Sequence, residues 1–125
     1  MKKTLVAGAV CIMLTGLIIA CTTQNVAEQK AQAEAIRSLG EAYLRQGNYR
    51  LALKQLKKAE DLYSADHLLQ DDLGLAYLYL KETDQAIFHF KKALAIKDDY
   101  APARNNLGNA YAENKEWEKA IKQYK

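Results

Sequence analysis

One pattern, Leu-Gly-x-Ala-Tyr, stands three times in the chain at a fixed interval. LGEAY spans 39–43, LGLAY 73–77 and LGNAY 107–111, and each leucine lies 34 positions from the next. A period of about 20–50 residues marks an array in which one supersecondary unit buries its apolar surface against copies of itself. With repeats counted as 33–66, 67–100 and an incomplete 101–125, further columns agree. Position 20 is Ala52, Ala86 and Ala120, position 24 is Leu56, Phe90 and Tyr124, and position 27 is Ala59 and Ala93.

The spacing inside a repeat is helical. Positions 7, 8 and 11 share one face of a first helix, and positions 20, 24 and 27 share one face of a second. Glycine at 8 and alanine at 20 and 27 are expected where two backbones approach closely. A mid-helix glycine costs up to about 1 kcal/mol relative to alanine, which close packing has to offset. Tyrosine at 11 and the large residue at 24 fill the space that remains. Pro102 falls in the first turn of its helix, where its missing N–H does no harm.

These columns resemble the tetratricopeptide repeat (TPR) family, and the resemblance covers residues 33–125. It implies an all-α fold, a solenoid of about three helix-turn-helix units. Two departures stand out. The proline usual at position 32 is Ser64 and Asp98, and the glycine usual at the turn is present only as Gly47, with Lys81 and Lys115 elsewhere. Slightly less rigid turns are expected, in the same fold. The third repeat stops at its twenty-fifth position with no polar capping helix, so the sequence reads as part of a longer protein.

The first twenty residues are of another kind. Lys2 and Lys3 precede an uncharged run over 4–20, the layout of an export signal. Its length is near the lower limit for a membrane span, about 17–25 residues, so an uncleaved anchor is one alternative and ordinary secretion another. Ile18-Ile19-Ala20-Cys21 resembles a bacterial lipobox, which implies cleavage before Cys21 and acylation of its thiol, with palmitate as the label. The expected organisation is therefore a lipoprotein signal peptide over 1–20, a lipidated tether over 21–32 and the array over 33–125. The polar stretch 22–32 reads as a tether or as a helical extension of the first repeat. Cys11 is lost with the signal, leaving Cys21 alone and no intrachain disulfide. Several acyl chains anchor durably, because each buried CH₂ adds about 0.8 kcal/mol. Thr22, by resemblance to the enterobacterial sorting rule, directs the chain to the outer membrane, facing the periplasm.

The formal charge of +3 owes much to the signal: without Lys2 and Lys3, 16 basic residues face 15 acidic ones. Such a body gives no electrostatic case for nucleic acid or anionic lipid. No Ser/His/Asp pattern, Gly-rich phosphate loop or CxxC is present, so no catalysis, cofactor or metal is expected. His67 and His89 have no ligand-spaced partner and read as surface or groove histidines. Asp71 and Asp72 read as helix-start carboxylates. Lys57, Lys58, Lys91 and Lys92 read as an outer, solvated face.

The informative surface is the concave one. Leu75, Leu78 and Tyr79 are expected there as an apolar anchor, covered either by a partner protein or by the neighbouring repeat's helix. Asn105 and Asn109, one turn apart, could hold a partner's backbone through their amides. Arg37 and Glu41 stand where chaperone-binding members of the family carry Lys and Asn, so a C-terminal chaperone tail is not the expected ligand. The expected function is a non-catalytic, membrane-anchored scaffold that binds another protein of the bacterial envelope. Lipobox and array together resemble the pilotin lipoproteins of type IV pilus biogenesis, which implies a role in assembling the outer-membrane secretin. The alternatives are a lipoprotein that scaffolds peptidoglycan enzymes or proteases, and the N-terminal part of a larger enzyme.

Overall fold

The computed structural model describes residues 2–125, with side chains described from residue 15 onward except residue 17. Among the described residues there are six helices and no strand: α1 (Lys2–Arg45), α2 (Tyr49–Leu62), α3 (His67–Tyr79), α4 (Thr83–Ile96), α5 (Ala101–Glu113) and α6 (Trp117–Tyr124). The second half of α1 pairs with α2, α3 with α4 and α5 with α6, and each pair stacks on the next.

The turn inside each pair is built the same way. Gly47, Lys81 and Lys115 all take left-handed backbone, with φ of 76°, 66° and 61°. The amide of the following residue (Asn48, Glu82 or Glu116) reaches back to the carbonyl of Tyr43, Tyr77 or Tyr111 at 2.9, 2.9 and 2.8 Å. The left-handed residue itself donates to Leu44, Leu78 or Ala112 at 2.9–3.0 Å. This double closure is a Schellman motif, which satisfies carbonyls that a helix end leaves orphaned. The two lysines thus adopt the geometry that glycine adopts in the first repeat, at the steric cost a Cβ carries there.

The small residues sit where backbones meet. A Cβ on Gly40 would lie 2.7 Å from Cγ of Leu56, one on Gly74 2.5 Å from Cδ1 of Phe90, and one on Gly108 2.5 Å from Cε1 of Tyr124. Position 8 is therefore the seat of the large residue at position 24 in every repeat. Ala52, Ala59, Ala86, Ala93 and Ala120 are all buried beside them. Two core clusters result. One joins α1, α2 and α3 around Leu56, Leu69 and Leu73, and the other joins α4, α5 and α6 around Phe90, Leu107 and Tyr111. Pro102 lies in the first turn of α5, and Asp66 caps α3 by accepting from the Leu68 amide at 2.9 Å.

The first helices α1, α3 and α5 touch one another in succession, whereas α2, α4 and α6 make no such contact among themselves. The array therefore curves with its first helices on the inside, and their outward residues line the concave face.

Residues 22–32 are helical and continuous with the first repeat, and every described side chain from 15 to 32 is exposed. Thr22 and Thr23 return their hydroxyls to the carbonyls of Ile19 and Ala20. The expected signal over 1–20 rests largely on Met1 and on side chains that lie outside the described residues. Among the described residues no helix is long and apolar enough to cross a membrane.

Candidate functional site: a groove on the concave face

The inner face between α3 and α5 holds a groove of about 550 Å³. Leu75, Leu78 and Ala112 form its apolar floor, Tyr79 and Trp117 stand at its edges, and Asn106 and Asn109 supply amides. At its rim Lys81 pairs with Glu113 at 3.3 Å, an exposed contact.

The structure brings four of the five sequence-predicted groove residues together: Leu75, Leu78, Tyr79 and Asn109. Leu75 and Leu78 are half-buried and pack partly against the second core cluster, so the neighbouring repeat covers some of their surface. Tyr79 remains 54% exposed, with its ring stacked on Tyr49 of the preceding repeat at 4.5 Å between centroids. The oxygen of the Asn109 amide accepts from the Tyr124 hydroxyl at 2.7 Å, which leaves its N–H₂ to meet a ligand. Asn105 is exposed on α5 but does not line the groove; Asn106, one position on, does. Cys21 is exposed on α1, far along the chain from this surface.

Three sequence expectations need correction. Asp71 and Asp72 are not solvated helix-start groups: both are buried in the middle of α3. Asp72 accepts from Nη1 of Arg37 at 3.0 Å, and Asp71 accepts from the Asn106 amide at 3.0 Å. Burial pushes the Asp72 carboxyl up to about 7, against the pull of Arg37. It raises Asp71 as well, against the bond from Asn106. His89 is neither a surface nor a groove histidine. It is buried, stacked on Tyr77, and its Nδ1–H donates to the Gln70 side-chain oxygen at 2.7 Å. Burial lowers its pKa, so the ring is held neutral. Lys92 is not simply solvated, since it donates to Glu60 at 2.9 Å.

These contacts form a polar seam between the first and second repeats. Gln70, fully buried, donates to Glu60 at 3.1 Å and to the Ser64 carbonyl at 3.0 Å while accepting from His89. Burial opposes ionisation of Glu60, but the bonds from Lys92 and Gln70 outweigh it and hold its carboxyl below the usual range. Nothing in the seam is arranged for chemistry: every member is spent on another. Among the described residues no cluster of His, Cys, Asp and Glu could hold a metal ion.

Arg37 is occupied in the same way. It meets Asp72 at 3.0 Å, Glu41 at 3.5 Å and Asp66 at 3.6 Å. The position that could offer a cation to a peptide carboxylate is thus already neutralised from within.

Comparison with known proteins agrees with the geometry. A family model described as "Tetratricopeptide repeat" matches residues 33–66, and one described as "TPR repeat" matches 74–115. The chain is 31% identical over 97 residues to the tetratricopeptide repeat domain-containing protein PYG7 of Arabidopsis thaliana, covering 74% of this chain and 32% of that protein. Curated relatives are in general much longer, and the chain spans between 5% and 32% of their length. Among solved structures, the first TPR of Spaghetti (RPAP3) bound to HSP90 peptide SRMEEVD superposes with a TM-score of 0.74 at 26% identity, over 76% of this chain and 75% of that one. MamA superposes with a TM-score of 0.71 at 32% identity, over 74% and 54%. With two family models matching over half of its length and six helices in the matching arrangement, the chain belongs to the tetratricopeptide repeat family and folds as an all-helical TPR solenoid.

Proposed function

We propose that the chain is a non-catalytic interaction scaffold that receives a segment of a partner protein in the groove between α3 and α5. The observation that carries this reading is the half-exposed apolar floor, flanked by Tyr79 and Trp117 and supplied with two amides. Such a surface can desolvate an apolar anchor while the amides meet a peptide backbone. The solved TPR of Spaghetti with its bound peptide supports the use of a TPR array for peptide capture. The ligand here is of another kind, because a terminal carboxylate would have to displace Asp66 and Asp72 from Arg37.

The test is capture of partners from bacterial membrane extracts by the 125-residue chain, with mass spectrometry of what is retained. Tyr79→Ala should weaken binding of the identified partner about tenfold or more, which is 1.4 kcal/mol. Lys58→Ala, exposed on the outer helix α2, is the control. A folded Tyr79→Ala chain that binds as the parent does, with Lys58→Ala impaired, would sink the groove reading.

The proposed location is the bacterial envelope, with the chain anchored on the outer membrane through acylated Cys21. The support is the sequence Ile18-Ile19-Ala20-Cys21 and the exposure of that thiol. Palmitate labelling should mark the mature protein, and Cys21→Ser should abolish both label and membrane retention. Within this reading, a secretin of type IV pilus biogenesis is the proposed partner. Its absence from the captured proteins, with cell-wall enzymes or proteases present instead, would favour the other scaffold reading.

A further inference from the structure

The near-neutral charge of the array hides a division between its two faces. In the first two repeats the second helices, α2 and α4, hold six Lys and Arg against three acids, whereas residues 33–45 and α3 hold two against four. Two of the acids on α2 and α4 are also occupied. Glu60 accepts from Lys92 and Gln70, and Asp84 accepts from the Asn114 amide at 3.2 Å.

The cations form a line. Arg50, Lys54, Lys57 and Lys58 follow one another at helical spacing along α2, and all four are exposed. Among the described residues none of them forms an ion pair. Leu51, 46% exposed, stands on the same stripe. On α4 the column of Lys54 is filled by Phe88, 54% exposed, and Lys91 repeats the column of Lys57. Nζ of Lys92 lies 5.5 Å from the Phe88 ring centroid, and its bond to Glu60 ties the outer side of α4 to α2. Both helices lie on the outside of the curve, away from the groove.

We propose that this outer face rests on an anionic phospholipid surface, with the α2 cations and Lys91 at the level of the headgroup phosphates and Leu51 and Phe88 entering the apolar boundary beneath them. Near such a surface each Lys or Arg raises partitioning about fivefold. A lysine stem is long enough to keep its ammonium among the phosphates while a neighbouring ring goes deeper. Asp61, exposed at the end of the stripe, opposes the attraction. The two apolar groups decide between occupants. An acidic polypeptide satisfies the cations but leaves Leu51 and Phe88 in water, whereas a bilayer covers both. An array lying this way keeps its groove open on the far side, so the contact is additional to partner capture and does not depend on it.

The experiment compares the full 125-residue chain on vesicles of mixed phosphatidylcholine and phosphatidylglycerol with the same chain on phosphatidylcholine alone. Lysine acetylation read by mass spectrometry should show Lys54, Lys57, Lys58 and Lys91 protected severalfold on the mixed vesicles only, and raised salt should remove the protection. Lys81 and Lys115, at the turns, should label alike on both. The triple variant Lys54→Gln, Lys57→Gln, Lys58→Gln keeps its helix, because lysine and glutamine have similar helix propensity. Its partition onto mixed vesicles, measured by flotation, should fall about a hundredfold relative to the parent, three steps of about fivefold. Residues 1–20, apolar with two lysines, act equally in parent and variant, so the ratio isolates α2. Phe88→Ser should weaken the same partition severalfold. Equal labelling of the four lysines on the two vesicle types, or a triple variant that partitions as the parent does, would overturn the proposal. Protection of these lysines by soluble poly-glutamate but not by mixed vesicles would also overturn it, in favour of an acidic protein. None of the substituted residues lines the groove, so partner capture should be unchanged, and failure here is distinguishable from failure of the groove reading.

Discussion

Three glycines occupy one repeat position, yet alanine should not act alike at them. A Cβ at Gly74 would lie 2.5 Å from Cδ1 and 2.9 Å from Cζ of Phe90, against the roughly 3.5–4.0 Å at which carbon atoms rest. The ring must retreat by about 1 Å, and Phe90 is completely buried. Overpacking of this kind costs about 1–3 kcal/mol, while alanine returns up to about 1 kcal/mol of helix propensity. Gly74→Ala should therefore lose about 1–2 kcal/mol net. At Gly108 the ring in the way belongs to Tyr124, which is half-exposed on the last turn of α6. It can swing outward at the expense of its bond to Asn109, about 0.5–1.5 kcal/mol, so Gly108→Ala should be close to neutral. Gly40, facing the buried but flexible Leu56, should fall between. For a domain of this size 1 kcal/mol corresponds to roughly 4–8 °C in Tm. Thermal and urea melts followed by circular dichroism on the three variants should show the order Gly74, Gly40, Gly108. If Gly74→Ala raises Tm as much as Gly108→Ala does, close approach is not the reason for glycine at this position.

Further consequences can be checked on the same melts. Lys81→Gly and Lys115→Gly should each stabilise by up to about 1 kcal/mol, because both lysines hold left-handed backbone that glycine adopts freely; a loss of stability would mean that the lysine side chains contribute more than the strain. Asp72, raised to about 7 when folded, binds its proton more tightly in the native state. Its contribution is complete below pH 4 and disappears as pH rises through 7. His89, lowered by burial, acts in the opposite sense, so the readout is the difference between parent and Asp72→Asn. The parent should lose stability relative to the variant between pH 4 and 7, at up to about 1.4 kcal/mol per pH unit, and parallel curves would show that Arg37 keeps Asp72 ionised throughout. Gln70→Leu should cost about 1–3 kcal/mol by stranding His89 and the Ser64 carbonyl, and a neutral result would show that the seam is dispensable.

What could be read from the sequence is what the repeats share. Glycine at position 8, the large residue at 24 and alanine at 20 and 27 recur, so their common seat was legible from spacing alone, and the structure places them against one another. The turn was legible in place, though not in the tolerance of Lys81 and Lys115 for positive φ. The buried polar contacts escaped notice because no column repeats them. Position 4 is Ile36, Gln70 and Arg104, position 6 is Ser38, Asp72 and Asn106, and position 23 is Gln55, His89 and Gln123. A single buried Gln in one copy carries no periodic signal, and a buried Asp looks in sequence like any charged helix residue. The choice of Asn105 over Asn106 failed for a related reason. One step along a helix turns a side chain by about 100°, and spacing within one helix does not fix which of two neighbours a stacked array turns inward.

The division between shared and unshared residues has a physical consequence. If every repeat presented the same apolar socket and nothing else, the third could stack on the first as readily as on the second. Apolar contact alone does not fix register, whereas a polar group that must find one partner can. Gln70 between Glu60 and His89, and Asp72 on Arg37, join the first repeat to the second and nothing else. Asp71 with Asn106 joins the second to the third. The apolar columns thus supply the tendency to stack, and the unrepeated polar pairs determine the order of stacking. Replacing Gln70 and His89 together by apolar residues of similar size should accordingly cost less than Gln70→Leu alone, since His89 is no longer stranded and the Ser64 carbonyl is the group that loses its donor, while registration between the first two repeats loosens. Hydrogen exchange distinguishes the two effects: amides in α2 and α3 should exchange faster in the double variant by more than its change in global stability accounts for. Unchanged protection there would show that the apolar sockets fix the order unaided.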